Sequence, residues 1–378
     1  MLSDIKKNPM YGYLLLLTVG AAVGLQGWRT IFNNFAVDVV GIDGLQVGVI
    51  QSVREIPGFL SLLVIFLLIV FREHRLSAIA VLTCGVGVFL TGFMPSFHGL
   101  IFTTLIMSLG FHYFETTNQS LTLQYFNKEQ SPLVFARLRS LNSLTNIFVG
   151  AVIWVLAGFF DLSILFGVVG IVVVITGFYA FKINPLLPGV KAQQRKMIFK
   201  RKYLLFYILN LMSGARRQIF VVFAVFLLVE KYRFSVQWVT ALFVLNNFIN
   251  FFLAPYIGKT INRFGERKVL SFEYVSLFFI FLAYAFIDSP IVAALLYILD
   301  HIFFNFAIGI KTYFQKTADP EDIAPSMAVG FTINHIAAVV IPVFGGSLWL
   351  VDYRIPFIMG SVLALFSLIF VQRIKNEV

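Results

Sequence analysis

Long apolar runs alternate with short polar connections along the whole chain. Taking about 20 apolar residues as one helical crossing of a bilayer, twelve runs are long enough. They cover residues 11–37, 45–71, 76–93, 100–126, 133–160 and 162–181, then 203–229, 236–256, 269–287, 291–314, 324–350 and 357–371. Several exceed the minimum, so tilt, bending or overhang is expected, with Pro57, Pro255 and Pro342 as natural bending points. The only sizeable connection, 182–202, carries Pro185, Pro188 and seven Lys or Arg residues at the midpoint of the chain. The pattern predicts an all-α membrane protein of twelve transmembrane helices: a six-helix bundle over 1–182, a basic linker over 183–202 and a second six-helix bundle over 203–378.

The two halves echo each other. Trp28-Arg29-Thr30-Ile31-Phe32-Asn33-Asn34-Phe35-Ala36-Val37 in the first run aligns with Arg216-Arg217-Gln218-Ile219-Phe220-Val221-Val222-Phe223-Ala224-Val225 in the seventh, setting Arg29 against Arg217. Each copy lies in the first apolar run of its half. A parallel duplication needs an even number of spans per copy, which six satisfies. Gln46 and Gln237, Leu76-Ser77 and Leu270-Ser271, and Asn146 and Asn334 are fainter echoes at comparable depths. The copies are not chemically equivalent, because Asn33 and Asn34 face only Val221 and Val222 in the alignment.

Composition narrows the class. With 59% hydrophobic and 12% charged residues and a mean hydropathy of +0.88, 378 residues offer too little polar surface to cover a soluble globule. The net charge of +11 would suit nucleic acid only if the basic residues gathered on one solvated face, and they are instead distributed loop by loop. One set of loops carries Lys6, Lys7, Arg72, Arg75, Lys128, the central linker, Lys259 to Lys268, Lys316, Arg373 and Lys375. The alternate set carries mainly Asp38, Asp43, Asp161, Asp288 and Asp352, with Lys231, Arg233 and Arg354 as exceptions. The bias predicts both termini on the cytoplasmic side of a cytoplasmic (inner) membrane. Lys6 and Lys7 ahead of the first run resemble a signal peptide, but the apolar character continues through many more segments, so that run reads as the first membrane helix. The linker reads as a solvated loop near anionic headgroups. Cys84 stands alone inside an apolar run, which excludes an intrachain disulfide.

Ionisable groups inside the bilayer cost roughly 2.5–3.5 kcal/mol each on insertion scales, so each calls for a water-filled path or a partner. Arg54-Glu55, His112 and Glu115, Arg216-Arg217, Asp300-His301 and Asn334-His335 fall near mid-depth, and Arg29 lies nearer the outer half of its run. A guanidinium is always charged and presents a planar fork of donors to a carboxylate or phosphate. Arg29, Arg54 and Arg217, with Asn33 and Asn246, are therefore the candidate contacts for a small anionic or zwitterionic substrate. Arg216 should point about 100° away from Arg217. The competing reading is that the arginines are matched internally, Arg54 with Glu115 for instance, as interhelical locks. His112 and Glu115 at i,i+3 share one helical face, and with Glu55 and Asp300 they are candidates to carry a coupling proton. Asp300 and His301 are adjacent, so their side chains diverge, and His335 reads as structural. His112, Glu115, Asp300 and His301 also permit a metal reading, though no helix carries a His-x3-His pair. There is no phosphate loop, no Gly-x-Ser-x-Gly elbow and no His-Glu-x-x-His, so the sequence encodes neither an ATP-driven pump nor a hydrolase, and no cofactor is implied.

Between the eighth and ninth runs the chain reads Gly258-Lys259-Thr260-Ile261-Asn262-Arg263-Phe264-Gly265-Glu266-Arg267-Lys268. This resembles the cytoplasmic loop signature of the major facilitator superfamily, with Gly258, Asn262, Arg263, Gly265, Arg267 and Lys268 at the signature spacings and a gating role implied for them. The glycines permit a tight turn, and the basic side chains can bond the last carbonyls of a neighbouring helix. The sequence departs from the family between the second and third runs, where Phe71-Arg72-Glu73-His74-Arg75 lacks glycine. The fifth run also lacks the Gly-Pro-rich signature of drug/proton antiporters. The resemblance implies two bundles rocking about a central cavity. Helices one, four, seven and ten would line it, two, five, eight and eleven flank it, and three, six, nine and twelve face lipid, with Glu273 the one acid in that last set. The expected function is secondary active transport of a small organic anion or zwitterion by alternating access with proton coupling, by a monomer whose partners are its substrate and the bilayer. Export of a metal ion or metal chelate, and a non-transporting receptor or assembly factor on the same fold, are the alternatives.

Overall fold

A computed structural model describes residues 2–42, 44–190, 197–234 and 236–375, and the side chains of Asn33, Gln237 and Pro342 lie outside the described residues. Among the described residues, twelve helices are long and apolar enough to cross a membrane. They are α1 (Pro9–Phe32), α2 (Val49–Val70), α3 (Glu73–Thr91), α4 (Phe97–Tyr125), α5 (Ser131–Leu156), α6 (Leu162–Lys182), α7 (Arg201–Leu228), α8 (Ala241–Phe264), α9 (Glu266–Phe286), α10 (Pro290–Thr317), α11 (Pro320–Trp349) and α12 (Arg354–Val371). In hydrocarbon a helix is the single-segment solution that satisfies its own backbone, and local chemistry sets where each begins. Asn8 accepts from Met10 N at 2.9 Å with Pro9 at the first turn of α1, and Ser96 accepts from Gly99 N at 3.0 Å at the start of α4.

The chain clusters into two compact units. Unit 1 comprises Met1–Gln130, Leu141–Ile198 and Pro320–Thr332; unit 2 comprises Ser131–Ser140, Phe199–Asp319 and Ile333–Val378. The first residues of α5 thus belong to unit 2 and those of α11 to unit 1.

In unit 1, α3 packs against α4 and α6 at backbone distance because glycines line the contacts. A Cβ on Gly85 would lie 2.7 Å from Val174 N, and one on Gly177 2.6 Å from Leu82 N. The far side of α6 exposes Val168, Ile171, Ile175 and Phe178 at helical spacing, an apolar stripe suited to lipid. Trp28, Phe32, Phe35, Cys84, Met107 and Phe166 form the centre of the unit 1 core. Pro57 interrupts α2: the helix tightens to a 3₁₀ turn over Leu60–Leu63 before resuming at Val64. The released Leu62 N–H donates to Thr332 Oγ1 at 2.9 Å. Pro255, by contrast, is carried inside a helix that runs continuously over Val236–Phe264.

In unit 2, α7 meets α11 where Gly214 packs on the Asn334 backbone, and Asn334 Nδ2 donates to Asn210 O at 3.0 Å. Ile219, Phe220, Phe223, Phe281, Tyr297 and Phe357 lie at the centre of its core. At one end of α7, Lys200 and Lys202 both donate to Asp319, whose backbone N–H donates to Tyr203 Oη at 3.1 Å. Beyond the other end, Lys231 donates to Asp288 at 2.7 Å and to Tyr353 Oη at 2.6 Å, while Trp349 Nε1 donates to Glu230 at 2.7 Å. Lys231, an exception in the loop charge pattern, is thereby neutralised locally.

Both α1 and α7 pass into a π-helical stretch. In α1 it covers Phe35–Val40 and ends at Gly41 with φ 73°; in α7 it covers Ile219–Ala224, after which α-helix resumes over Val225–Glu230. Wide turns of this kind concentrate at functional sites.

Candidate functional site

In unit 1 the polar residues at depth gather where α2 meets α4. Arg54 Nη2 pairs with Glu55 Oε1 at 2.8 Å, so its ionic partner is its own neighbour and not Glu115. The Ser108 hydroxyl donates to the Arg54 carbonyl and lies 2.9 Å from His112 Nδ1, which is also 2.9 Å from Ser108 O. A hydroxyl has one proton, and this one is committed to Arg54 O. The oxygen therefore accepts from Nδ1–H, which assigns the proton of a neutral His112 to Nδ1 and leaves Nε2 as the basic nitrogen. A Glu55 carboxylate oxygen lies within 4.8 Å of a His112 ring nitrogen. Apolar rings enclose the imidazole, with Phe111 at 5.5 Å and Phe331 at 6.1 Å between centroids. The Arg54 guanidinium carbon is 6.0 Å from the centroid of Trp28, itself stacked on Phe32 at 4.2 Å. Glu115 is half-buried one turn along α4, Arg29 is exposed on α1, and the Asn33 side chain lies outside the described residues.

Unit 2 separates the two adjacent arginines of α7. Arg216 is buried: it donates to the Ser367 hydroxyl of α12, sits 3.8 Å from Glu273 Oε1 and lies over the Tyr274 ring at 4.3 Å. Arg217 is half-buried and makes no hydrogen bond or ion pair among the described residues, and its Nε is fully enclosed without an acceptor. This is the divergence that a 100° step per residue requires. Glu273, expected on a lipid-facing helix, is 0% exposed and turned into the bundle. Asp300 is 1% exposed with Oδ2 unbonded. His301 turns to a different set of neighbours: Asn250 Nδ2 donates to its Nε2 at 2.7 Å, and Asn305 Nδ2 donates to Asn250 Oδ1 and to the His301 carbonyl, each at 2.6 Å. Asp300 and His301 therefore do not converge on one ligand position. Asn246, one turn before Asn250, is buried with neither amide atom hydrogen-bonded.

The basic loop motif folds into a brace at one end of unit 2. Gly258 lies where a Cβ would come 2.6 Å from Pro132 O of α5. Gly265 turns the chain between α8 and α9 at φ 78°, ψ 160°, a conformation open almost only to glycine. Glu266 pairs with Lys316 of α10 at 2.8 Å, and Arg267 Nε donates to Gln372 beyond α12 at 3.1 Å. Arg263 stacks over Phe264 at 5.1 Å, and Asn262 and Lys268 are exposed. Glu266, outside the six motif positions singled out from the sequence, thus ties the turn to α10. Ser108, Trp28 and Ser367 carried no signal in the sequence. Glu273 did, since a carboxylate at depth does not stay in lipid.

The profile of the Major Facilitator Superfamily matches residues 11–324, and the chain belongs to that family of membrane transporters. No curated protein matches it in sequence. Among solved structures it is similar to the fucose:proton symporter FucP of E. coli in the outward conformation, at 12% identity and a TM-score of 0.77 over 97% of this chain and 98% of that one. It is also similar to a bacterial homologue of the iron transporter ferroportin in an outward-facing state, at 15% identity and a TM-score of 0.74 over 96% and 98% of the two chains. The human organic anion transporter MFSD10 is similar at 13% identity and a TM-score of 0.73 over 96% and 99%.

Proposed function

We propose that the chain is a secondary active transporter that carries a small organic anion or zwitterion across the cytoplasmic membrane by alternating access, coupled to protons, with both termini cytoplasmic. Arg217 carries this reading. A permanently charged guanidinium held half-buried in a membrane helix, with Nε enclosed and no ion pair among the described residues, is expensive unless an anion completes it. Its planar fork suits a carboxylate, phosphate or sulfonate. Arg54, already paired with Glu55, reads as a contact that exchanges its partner when substrate arrives. Arg29, Asn33 and Asn246 complete the proposed polar contacts. Glu55, His112, Glu115 and Asp300 are the groups proposed to handle protons, and the brace around Gly258, Asn262, Arg263, Gly265, Arg267 and Lys268 is proposed to hold the cytoplasmic ends during rocking. A fold shared with a proton symporter and an organic anion transporter agrees with this reading by analogy.

A thermal-shift screen of organic anions on the purified protein identifies ligands. Arg217→Gln is expected to weaken the binding of any such anion roughly tenfold to a hundredfold, the worth of a charge-assisted hydrogen bond; unchanged affinity removes the substrate class. Transport in proteoliposomes is expected to follow an imposed pH gradient, and indifference to the gradient removes the coupling. A metal ion or metal chelate as cargo is a second reading, favoured by the closeness of the Glu55 carboxylate and a His112 nitrogen. It requires metal-dependent thermal stabilisation that disappears in His112→Ala.

A further inference from the structure

The interior of unit 2 holds a charge count that does not close. Arg216 from α7, Glu273 from α9 and Asp300 from α10 are 2%, 0% and 1% exposed. One guanidinium and two carboxylates sum to minus one in a space with no water-facing surface. Arg216 and Glu273 form an ion pair at 3.8 Å, and the other contacts of Arg216 are neutral: the Ser367 hydroxyl of α12 and the face of Tyr274. Asp300 lies within electrostatic reach of Arg216, Glu273, Tyr284 and Tyr297. Both Glu273 oxygens, Asp300 Oδ2 and the hydroxyls of Tyr274 and Tyr284 are buried without a hydrogen-bond partner. Among the described residues these are the titratable side chains around the cluster, with His301 turned away onto Asn250 and Arg139 of α5 acting on His301 from beyond it; α12 adds Ser367.

A buried unmatched charge is the most costly state such a cluster can adopt, and a single positive charge would cancel it. We propose that Arg216, Glu273 and Asp300 form a binding site for one proton in the interior of unit 2, with Glu273 kept ionised as the partner of Arg216 and Asp300 taking up the proton. The proton arrives from the aqueous phase, forms an O–H bond on an Asp300 carboxylate oxygen and returns to water when that bond breaks, so nothing is oxidised or reduced. A proton needs no coordination shell, which suits a space already occupied by the three side chains and by Tyr274, Tyr284 and Tyr297. This deepens the proton-coupled reading above by naming where the proton sits, and it enlarges the expected set of coupling residues by Glu273 and Arg216.

The test is an infrared pH titration of the purified protein in lipid, without any substrate, following the C=O band of protonated carboxyl groups. Wild type is expected to show a component of that band that titrates away at high pH and is missing from Asp300→Asn, whatever Glu55 and Glu115 contribute to both. Glu273→Gln should lack the same component, because Asp300 then becomes the ionised partner of Arg216. Absence of any titrating component from the difference between wild type and Asp300→Asn overturns the proposal. A band abolished by sodium chloride at constant pH also overturns it and makes the site one for a metal cation. Asn at position 300 balances the cluster without altering its shape. At a pH where the wild-type band has vanished, Asp300→Asn should therefore melt at or above the wild-type temperature, and a lower melting temperature counts against the proposal. Because the titration involves no transport, a titrating band alongside transport indifferent to a pH gradient would retain this site and reject the coupling.

Discussion

At the scale of single residues, the side chains that matter are distinguished by which partners the fold gives them. Arg216 and Arg217 are neighbours of identical chemistry, and only Arg216 is given a carboxylate, a hydroxyl and an aromatic face. The helical period makes the divergence legible in advance; which arginine turns inward depends on Glu273 and Ser367, which lie on distant segments. Ser108 illustrates what a sequence conceals, since a serine in an apolar helix is unremarkable until its hydroxyl is seen between the Arg54 carbonyl and His112. Ser108→Ala is expected to cost about 1 kcal/mol of stability for the lost hydrogen bond and to leave His112 Nδ1 without its hydroxyl partner while the Ser108 carbonyl still holds it. Transport measured across a pH series should then shift its profile while substrate affinity is retained; an unchanged profile would remove His112 from the proton path.

At the scale of elements, close packing and turn geometry decide the fold. The positions and number of the helices are readable from apolar run length, because a bilayer leaves a backbone few alternatives. Pro57 breaks α2 as its chemistry suggests, whereas Pro255 does not interrupt its helix. The glycine faces that bring α3 against α4 and α6 are written in the sequence, but their pairing is not, since Gly85 finds its partner on α6 far along the chain. Replacement of Gly265 by Ala should cost on the order of 1–3 kcal/mol, the strain of that backbone conformation for an L side chain, read as a lower melting temperature; Gly258→Ala should act instead through collision with Pro132. The connection between α10 and α11 is fastened by Asp319, which receives hydrogen bonds from Lys202 and Lys200 that hold its carboxyl at about 2 instead of the ordinary 3.8. A depressed carboxylate contributes stability above its unfolded pKa and loses it as pH falls through the folded one. The stabilising contribution should therefore be complete above about pH 4 and fade towards pH 2, and Asp319→Asn should remove that acid-side dependence from the melting curve.

At the scale of the whole molecule, the two segments that echo each other in sequence each run into a π-helical stretch, at different registers. Cys84 is the one cysteine and is fully buried, so an impermeant maleimide should leave the native protein unlabelled. Cysteines introduced at Lys128 and at Asp288 should then react from opposite sides of the membrane, and reaction from one side would reject the proposed topology. The division into contact units departs from the sequence halves at the fifth helix of each, α5 and α11, which apolar patterning has no means of indicating. Arg29 and Arg217 align in sequence, yet the π-helical stretch begins six residues past Arg29, at Phe35, and two past Arg217, at Ile219. A hydrogen-bonded turn that spans five residues instead of four accommodates one extra residue, so side chains beyond it are rotated by roughly one position relative to an uninterrupted α-helix. Arg217 borders such an insertion and Arg29 stands a full turn short of it. The two aligned segments thus stand in separate reading frames on their helical surfaces, and a single deletion within Ile219–Ala224 would re-aim everything downstream in α7 while leaving Arg217 where it is.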